Sequence, residues 1–363
     1  MKKEVLISGG GTAGHIFPAI AVAQEMTKKD PELHFTFVGS SRNLEKLIMT
    51  HYGADFISLK IGGLKGKGIS AVKTLFLLPL SFMKSLVLLL RIKPLLSIGV
   101  GGYSSGPVVF LSSLLGFPTL IMEQNVRPGL TNRLLSRHVK KAVVSFEESL
   151  PYFRKKGVLL GNPVRKEFLS IAPKKRTGFL SLLIFGGSQG SRFLNKAITS
   201  ALPYLEKEKE NLRIKHQTGE HDFKWVKNEY EQQGFNKVQI QPFFFDMAEH
   251  FQNADLVICR SGATTIAELI AARKASLLIP FSKATDDHQL LNAKQLQQIE
   301  GAEILEENAF TPSFLADTIR RFIKDKKSLD RMEQRLKIFR KEDAALKISE
   351  LCFKLISEKH RRN

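Results

Sequence analysis

Short apolar runs recur along the chain, each closed by glycine or a small polar cluster and followed by a segment with helical spacing. In the first half this pattern predicts strands at Val5–Ser8, Phe35–Val38, Ile57–Leu59, Leu95–Ile98, Thr119–Met122 and Ala142–Ser145. In the second half it predicts them at Leu182–Phe185, Leu212–Gln217, Val238–Gln241, Leu256–Cys259 and Ser276–Ile279. Pro18–Thr27 reads as a helix. Arg42–Thr50 reads as another, with Leu44, Leu47 and Ile48 facing inward and Glu45 and Lys46 outward. Strands alternating with helices imply an α/β chain with parallel sheets covered on both faces.

Two of these strands run into glycine-rich turns. Gly9-Gly10-Gly11-Thr12-Ala13-Gly14-His15 follows the first, and Gly186-Gly187-Ser188-Gln189-Gly190 follows Leu182–Phe185. A helix N-terminus behind such a turn presents unpaired N–H groups and a partial positive charge, which suits an anion. The two turns lie near the starts of two halves, which predicts two doubly wound, Rossmann-like domains. Such domains bind ligands at the carboxyl ends of their strands, here in a deep interdomain cleft. Two anion turns facing one cleft fit diphosphate-bearing substrates. The boundary falls at Gly161-Asn162-Pro163-Val164-Arg165, ahead of the basic Pro173-Lys174-Lys175-Arg176, giving domains 1–162 and 163–339. The glycine-free stretch Arg331–Lys359 has no strand after it, and its end, 340–363, is expected to cross back and complete the first domain.

At 363 residues, 43% hydrophobic and 25% charged, the chain has material for two cores and does not read as disordered. Cys259 and Cys352 are too few and too distant for a disulfide framework or a metal site. Lys2, Lys3 and Glu4 lead straight into a strand and its turn, which predicts no secretory leader and a reducing, cytoplasmic setting. The net charge of +20 matters through its distribution. From Phe56 to Met122 there is no Asp or Glu, while Lys60, Lys65, Lys67, Lys73, Lys84, Arg91 and Lys93 are present. The same stretch holds the apolar runs Thr74–Met83 and Leu86–Leu90. Pro79 and Lys84 interrupt them, whereas a spanning helix takes about 20 apolar residues. This segment is either a buried helix of the first domain or an apolar, basic-rimmed surface lying on an anionic membrane. Both hold if one face packs inward and the other meets lipid.

The first turn lacks the acid that a dinucleotide fold places after its second strand. Phe37-Val38 runs into Gly39-Ser40-Ser41, and the first acid, Glu45, lies inside a helix. No Gly-Lys-Ser/Thr follows to make a Walker loop. His15, just past the turn, suits a general base acting on a hydroxyl, or a plain hydrogen bond to phosphate or backbone. In Arg260–Glu268, Ser261 is placed to cap a helix and Gly262 admits a ligand to the backbone. Glu268, in the second helical turn, either accepts from vicinal hydroxyls or is simply solvated. Asp286 and Asp287 are adjacent and cannot share one strand face, and no Asp-x-Asp occurs, so no metal is expected. Gln289 and Asn292, three apart on one helical face, suit a sugar better than a metal. Glu123-Gln124-Asn125 closes a buried strand with polar side chains, and Asn125 either contacts ligand or shapes the turn.

Taken in order across nearly the whole chain, these segments resemble one family, the N-acetylglucosaminyltransferases that convert lipid I to lipid II in bacterial peptidoglycan synthesis (the MurG family). The resemblance is carried by Gly9–His15 with Phe17-Pro18, the loop Gly63–Gly68, Gly101–Pro107, Glu123–Asn125, Gly161–Arg165, Gly186–Gly190, Arg260–Glu268 and Asp287–Ala293. It implies the GT-B glycosyltransferase fold and an inverting transfer from UDP-N-acetylglucosamine, with no cofactor or metal required. The acceptor it implies is the 4-hydroxyl of N-acetylmuramoyl-pentapeptide on undecaprenyl diphosphate, lipid I. Donor contacts would fall on Thr12, Ala13, Gly14, Asn125, Arg165, Ser188, Phe244, Ala263, Thr264, Thr265, Ile266, Ala267, Glu268 and Gln289. Among these, Ser188 would hold the diphosphate, the backbone near Phe244 the uracil, Glu268 the ribose and Gln289 the sugar. The first turn with Gly102, Tyr103 and Ser104 would receive the acceptor diphosphate, and His15 is the candidate base.

The same resemblance makes the first domain the acceptor and membrane side and the second the UDP-sugar domain. It places the enzyme peripherally on the cytoplasmic face of the bacterial inner membrane, with anionic lipid and other cell-wall synthesis proteins as partners. Two positions depart from the family: Ala13 stands where glycine is usual, and Phe244 where a smaller aliphatic is common. A UDP-sugar transferase acting on diacylglycerol would share the nucleotide half, but Gly102–Pro107 and Glu123–Asn125 favour the peptidoglycan acceptor. The charge alone would suit a nucleic-acid-binding protein. Leucine runs between the lysines, and the lack of a recognised binding module, argue against nucleic acid.

Overall fold

The computed structural model describes residues 3–10, 13–40, 43–59, 69–337 and 343–361. It divides the chain into two units, Met1–Arg165 with Asp343–Asn363, and Lys166–Glu342. The predicted loop at 63–68 and Thr12 lie outside the described residues.

The first unit holds seven strands: β1 (Lys3–Ser8), β2 (Leu33–Gly39), β3 (Asp55–Ser58), β4 (Leu96–Gly99), β5 (Thr119–Glu123), β6 (Lys141–Val144) and β7 (Gly157–Leu159). They pair in parallel in the order β3-β2-β1-β4-β5-β6-β7. The order reverses between β1 and β4, where Val5 pairs with Leu96 and Ser8 with Gly99. Their two carboxyl-end turns therefore lie side by side, as ligand-binding turns do at a topological switch point. One face of the sheet buries Val5, Ile7, Ile98 and Met122 under Ile16, Ile20 and Met26 of helix Ala13–Lys29. Ile348, Cys352 and Leu355 of helix Ala344–His360 close the same core, so the chain's last helix belongs to its first unit. The other face packs Leu6, Val38 and Val108 on Leu89 of helix Ile69–Ile92.

The second unit holds β8 (Leu180–Phe185), β9 (Leu212–Gln217), β10 (Val238–Gln241), β11 (Leu256–Cys259), β12 (Ser276–Leu278) and β13 (Ala302–Ile304). Their parallel order is β10-β9-β8-β11-β12-β13, with the switch between β8 and β11. Leu182, Ile184, Ile214 and Ile258 pack against Leu194 and Ile198 of helix Arg192–Ala201 and Leu315 and Phe322 of helix Pro312–Lys324.

The elements depart from the sequence reading at identifiable places. Strands β7 and β13 were not expected, because three residues at a sheet edge are too few to register as a pattern. The first helix begins at Ala13 rather than Pro18 and carries Pro18 inside it, without the bond a proline N–H cannot make and with its ring against the carbonyl four residues back. Glu45 does not face outward. It is buried and accepts from the Ser40 N–H (2.7 Å) and hydroxyl (2.6 Å), so this acid is spent on the turn after β2. Leu47, expected inside, is 51% exposed in consequence. The stretch Arg331–Lys359 contributes to two helices, Lys326–Lys337 in the second unit and Ala344–His360 in the first.

A charged cluster sits at the amino ends of β8 and β11. Asp255 is fully buried, pairs with Lys174 (3.1 Å) and Arg176 (3.5 Å), and accepts from the Ser181 N–H (2.8 Å). Arg176 also pairs with Asp330 (2.7 Å) and Glu333 (3.2 Å), so the basic segment that follows the boundary is tied down. Lys274, 2% exposed, donates to the carbonyls of Ala254 (3.1 Å) and Gln252 (3.4 Å). Burial pulls its amine down to about 8, and burial raises the Glu333 carboxyl. Between pH 8 and its ordinary 10.5 the unfolded chain keeps the Lys274 proton that the folded chain has shed. The penalty for charging this lysine is thus fully present below pH 8 and fades as pH rises. In urea unfolding, the parent should gain about 2–3 kcal/mol relative to Lys274→Met between pH 7.5 and 10. A constant gap between the two proteins would show that the lysine is not held neutral.

Candidate active site

In the first unit the turns after β1 and β4 close on each other through glycine. A Cβ on Gly102 (φ +78°) would lie 2.4 Å from the Gly10 carbonyl oxygen. A Cβ on Gly101 (φ +93°) would lie 3.2 Å from Nε2 of His15. Only glycine meets both demands, the left-handed backbone and the close approach. His15, in the first turn of helix Ala13–Lys29, points Nδ1 at the Gly10 carbonyl (3.1 Å). A carbonyl only accepts, so in the neutral imidazole Nδ1 carries the hydrogen and Nε2, beside Gly101, carries the lone pair. Of the other predicted residues here, Gly102 and Tyr103 are half-buried and Ser104 is buried. Ser104 precedes helix Ser105–Leu114 without capping it through its hydroxyl, while the Ser105 hydroxyl donates to the Gly102 carbonyl (2.9 Å). Ala13 and Gly14 are the first two residues of their helix.

Asn125 is organised by its neighbour. Glu123, buried at the end of β5, accepts from the Asn125 N–H (3.0 Å) and Nδ2 (3.2 Å) through Oε1. Its Oε2 accepts from the Gly129 N–H (3.0 Å) and Asn132 Nδ2 (2.9 Å). Asn125 therefore does shape the turn, and its amide is aimed by a carboxylate that the sequence reading treated only as part of a motif. Arg165 falls in the first unit, not in a domain beginning at 163, and its buried guanidinium stacks 4.0 Å over the Phe17 ring.

In the second unit the turn after β8 has Gly187 at φ +92° and Gly190 at φ +76°, with the Gly190 N–H on the Gly187 carbonyl (3.1 Å). Ser188 sits half-buried within it. Ser191 caps helix Arg192–Ala201, accepting from the Leu194 N–H (3.4 Å). Gln217, buried at the end of β9, donates to the Gly187 carbonyl (3.0 Å) and accepts from the Phe244 N–H (2.8 Å). This residue was missed, although it obeys the rule that singled out Asn125: a polar side chain closing a buried strand.

Helix Ala263–Ala272 starts at Gly262, not Ser261, and no side chain caps it. Ser261 instead donates to the Gln289 carbonyl (2.8 Å), binding this helix end to helix His288–Gln298. Ala263, Thr264, Ile266 and Glu268 are buried, whereas Thr265 and Ala267 are half-buried. Glu268 is thus no solvated glutamate, and together with burial it raises the Cys259 thiol. Gln289 accepts from the Phe281 N–H (3.0 Å) through Oε1. Asn292 does not share a sugar-facing role with it, because Asn292 is fully buried and donates to the Ser261 carbonyl (3.2 Å). Arg260 is spent on framework: on the carbonyls of Ile279 (2.9 Å) and Pro280 (3.1 Å), the Ser191 hydroxyl (3.0 Å) and Glu307 (2.6 Å). Among the described residues, no three His, Cys, Asp or Glu side chains converge as metal ligands.

Comparison with known proteins matches residues 5–144 to the Glycosyltransferase family 28 N-terminal domain and 181–348 to the Glycosyltransferase family 28 C-terminal domain. A relative from Myxococcus xanthus is 41% identical over 357 residues, 97% of this chain and 93% of its own. One from Syntrophus aciditrophicus is 42% identical over 360 residues, 98% and 99% of the two chains. Both are named UDP-N-acetylglucosamine–N-acetylmuramyl-(pentapeptide) pyrophosphoryl-undecaprenol N-acetylglucosamine transferase. The solved MurG of Acinetobacter baumannii superposes with a TM-score of 0.74 at 28% identity, covering 97% of this chain and 99% of that one. The calicheamicin glycosyltransferase CalG4 shares the fold alone, with a TM-score of 0.65 at 11% identity over 98% of both chains.

The Glu123 hub makes a direct prediction. Glu123→Gln keeps the shape but turns an amide NH2 toward groups that can only donate, so it should cost about 2–3 kcal/mol in urea unfolding. The exposed Glu32→Gln should be nearly neutral in the same experiment. Equal effects for the two would show that Glu123 organises nothing.

Proposed function

The chain belongs to glycosyltransferase family 28, among the enzymes that transfer N-acetylglucosamine from UDP to N-acetylmuramyl-(pentapeptide) pyrophosphoryl-undecaprenol, and from that premise we propose how its residues divide the work. The observation that carries the assignment is identity of 41% and 42% with relatives of that activity over 97% and 98% of the chain. Each unit is a Rossmann-like half of the GT-B type.

In our reading the second unit binds the donor. Ser188 and the turn Gly187–Gly190 take the diphosphate, joined by the uncapped N-terminus of helix Ala263–Ala272 through its backbone from Ala263 to Ala267. Glu268 accepts from the ribose hydroxyls. The Phe244 N–H is already committed to Gln217, so uracil is met by the Phe244 carbonyl. Gln289 turns its Nε2 to the sugar, since its Oε1 is held by Phe281. Asn125 and Arg165 are assigned to the donor as well. The first unit receives the acceptor diphosphate at Thr12–Gly14 and Gly102–Ser104. His15 Nε2 takes the proton of the attacking 4-hydroxyl, a role supported by the tautomer that the Gly10 carbonyl imposes.

Attack from the face opposite UDP inverts the anomeric carbon. Charge then builds on the departing diphosphate, where preorganised N–H donors are worth about 3 kcal/mol each. This is the basis for proposing that no metal is needed. Transfer of labelled N-acetylglucosamine to a short-chain lipid I analogue should proceed in EDTA. His15→Ala should lower turnover about 10²–10⁴-fold with donor affinity nearly unchanged. Parallel collapse of donor affinity and turnover would make His15 a binding residue instead.

We also propose a peripheral association with the cytoplasmic face of the membrane, where the lipid acceptor would be met. Support comes from helix Ile69–Ile92, whose Ser81, Ser85 and Leu89 are buried while Leu80, Met83, Val87 and Leu90 stand exposed beside Lys84 and Arg91. Exposed Leu114, Leu130 and Leu134 add apolar area to the same unit. Among the described residues no helix is long and apolar enough to cross a membrane. Met83→Glu with Val87→Glu should abolish sedimentation with anionic vesicles while leaving UDP binding intact. Undiminished sedimentation would sink this part of the proposal.

A further inference from the structure

We infer that Gln217 is a positioning residue that couples the diphosphate turn to the nucleobase loop, so that the two parts of UDP are bound by one rigid frame. This rests on the donor assignment above and goes beyond it, because Gln217 itself need touch no substrate.

The geometry leaves this side chain one arrangement. Gln217 is 1% exposed and ends β9, the strand between β8 and β10. The loops after those two flanking strands carry Gly187 and Phe244. Its Nε2 must face Gly187, which offers a carbonyl (3.0 Å), and its Oε1 must face Phe244, which offers an N–H (2.8 Å). A buried amide with both ends satisfied this way holds two backbone segments at a fixed separation. Gly187 precedes Ser188 directly, so a shift of the bridge moves the diphosphate turn.

The end of β9 is itself immobilised on both sides of Gln217. His216 is fully buried, with Nδ1 on the Tyr230 hydroxyl (3.1 Å) and Nε2 on Asn195 Oδ1 (3.1 Å). Burial keeps this imidazole neutral, its pKa pulled down to about 3. Asn195 Nδ2 donates to the Thr218 carbonyl (2.9 Å), and a Cβ on Gly190 would lie 2.0 Å from that same oxygen. Asn195 belongs to helix Arg192–Ala201, which follows the diphosphate turn. The turn is therefore braced directly by Gln217 and indirectly by Asn195, through the Thr218 carbonyl on which Gly190 packs.

Few other side chains substitute. Methionine matches the length and makes neither bond. A glutamate carboxylate accepts from Phe244 but repels the Gly187 carbonyl, and regains a donor only when protonated.

The test is titration of the full chain with UDP and with uridine, followed by calorimetry or ligand-observed NMR, on the parent, Gln217→Met and Gln217→Glu. Gln217→Met should weaken both ligands about tenfold or more and raise the donor KM more than it lowers kcat. Gln217→Glu should bind uridine weakly at pH 7.5 and recover toward parental affinity at pH 5. Uridine carries no charge there, so relief of repulsion cannot mimic the recovery. A purely structural glutamine would lower the melting temperature without either signature. Variants that bind both ligands within twofold of the parent at each pH would overturn the inference alone. A parent that binds no UDP would overturn the donor assignment and this inference with it.

Discussion

Each unit is organised by the reversal of strand order beside its first strand, between β1 and β4 in one and β8 and β11 in the other. Helices leaving the two adjacent strand ends depart to opposite faces, so the ends are left uncovered and their turns become neighbours. What a turn can hold there depends on how closely its partner approaches, and that is decided by glycine. In the first unit, Gly101 and Gly102 bring the β4 turn onto Gly10 and His15 at distances no side chain would allow. In the second, Gly190 lies against the Thr218 carbonyl after β9, so there the close approach is to the neighbour of β8 on the side away from the switch. The site follows from strand order first and from side-chain chemistry second.

That hierarchy explains what could be read in advance. Strand positions were legible where a buried parallel strand is a dense apolar run, as at Leu256–Cys259, and where apolar and polar residues alternate, as at Leu212–Gln217 and Val238–Gln241. The glycine turns were legible because they follow such strands directly. Directions of individual polar side chains were not. Glu45 and Asn292 have the spacing of outward and ligand-facing residues, yet each found a backbone partner, Ser40 across a turn and Ser261 in the loop after β11, and turned inward. Such partners are close in space and distant or hidden in sequence, so periodicity carries no trace of them. Ser261 illustrates the same limit. Its type and position suit a cap, but the Gln289 carbonyl competes for the hydroxyl and wins.

Arginine use follows from the same competition. Arg260 opens the motif that runs to Glu268 and invites a diphosphate role, yet its guanidinium is consumed by two carbonyls, a hydroxyl and Glu307. A buried guanidinium must be satisfied or it destabilises the fold, so its five donors go to the nearest fixed acceptors. The consequence is a rigid seam joining the ends of β11 and β12 to Ser191 at the start of helix Arg192–Ala201. In the proposed donor site, anion binding is left to backbone N–H groups, which need no reorganisation when charge develops.

The two units solve one problem with different chemistry. Each must fix a loop beyond a strand end by means of a single buried polar side chain, Glu123 in the first and Gln217 in the second. Around Glu123 every partner is an N–H: two from Asn125, one from Gly129 and one from Asn132, and a carboxylate accepts them all. Around Gln217 the partners are one carbonyl and one N–H, which an amide serves at once and an ionised carboxylate cannot. Charge points the same way. On the donor assignment proposed above, a carboxylate one hydrogen bond from the diphosphate turn would repel its ligand through a low-dielectric medium, at a cost that grows as water is excluded. A neutral amide holds the same geometry with no field against the ligand. On that assignment the choice between glutamate and glutamine is set twice, by the hydrogen-bond inventory of the loops and by the charge of the proposed ligand.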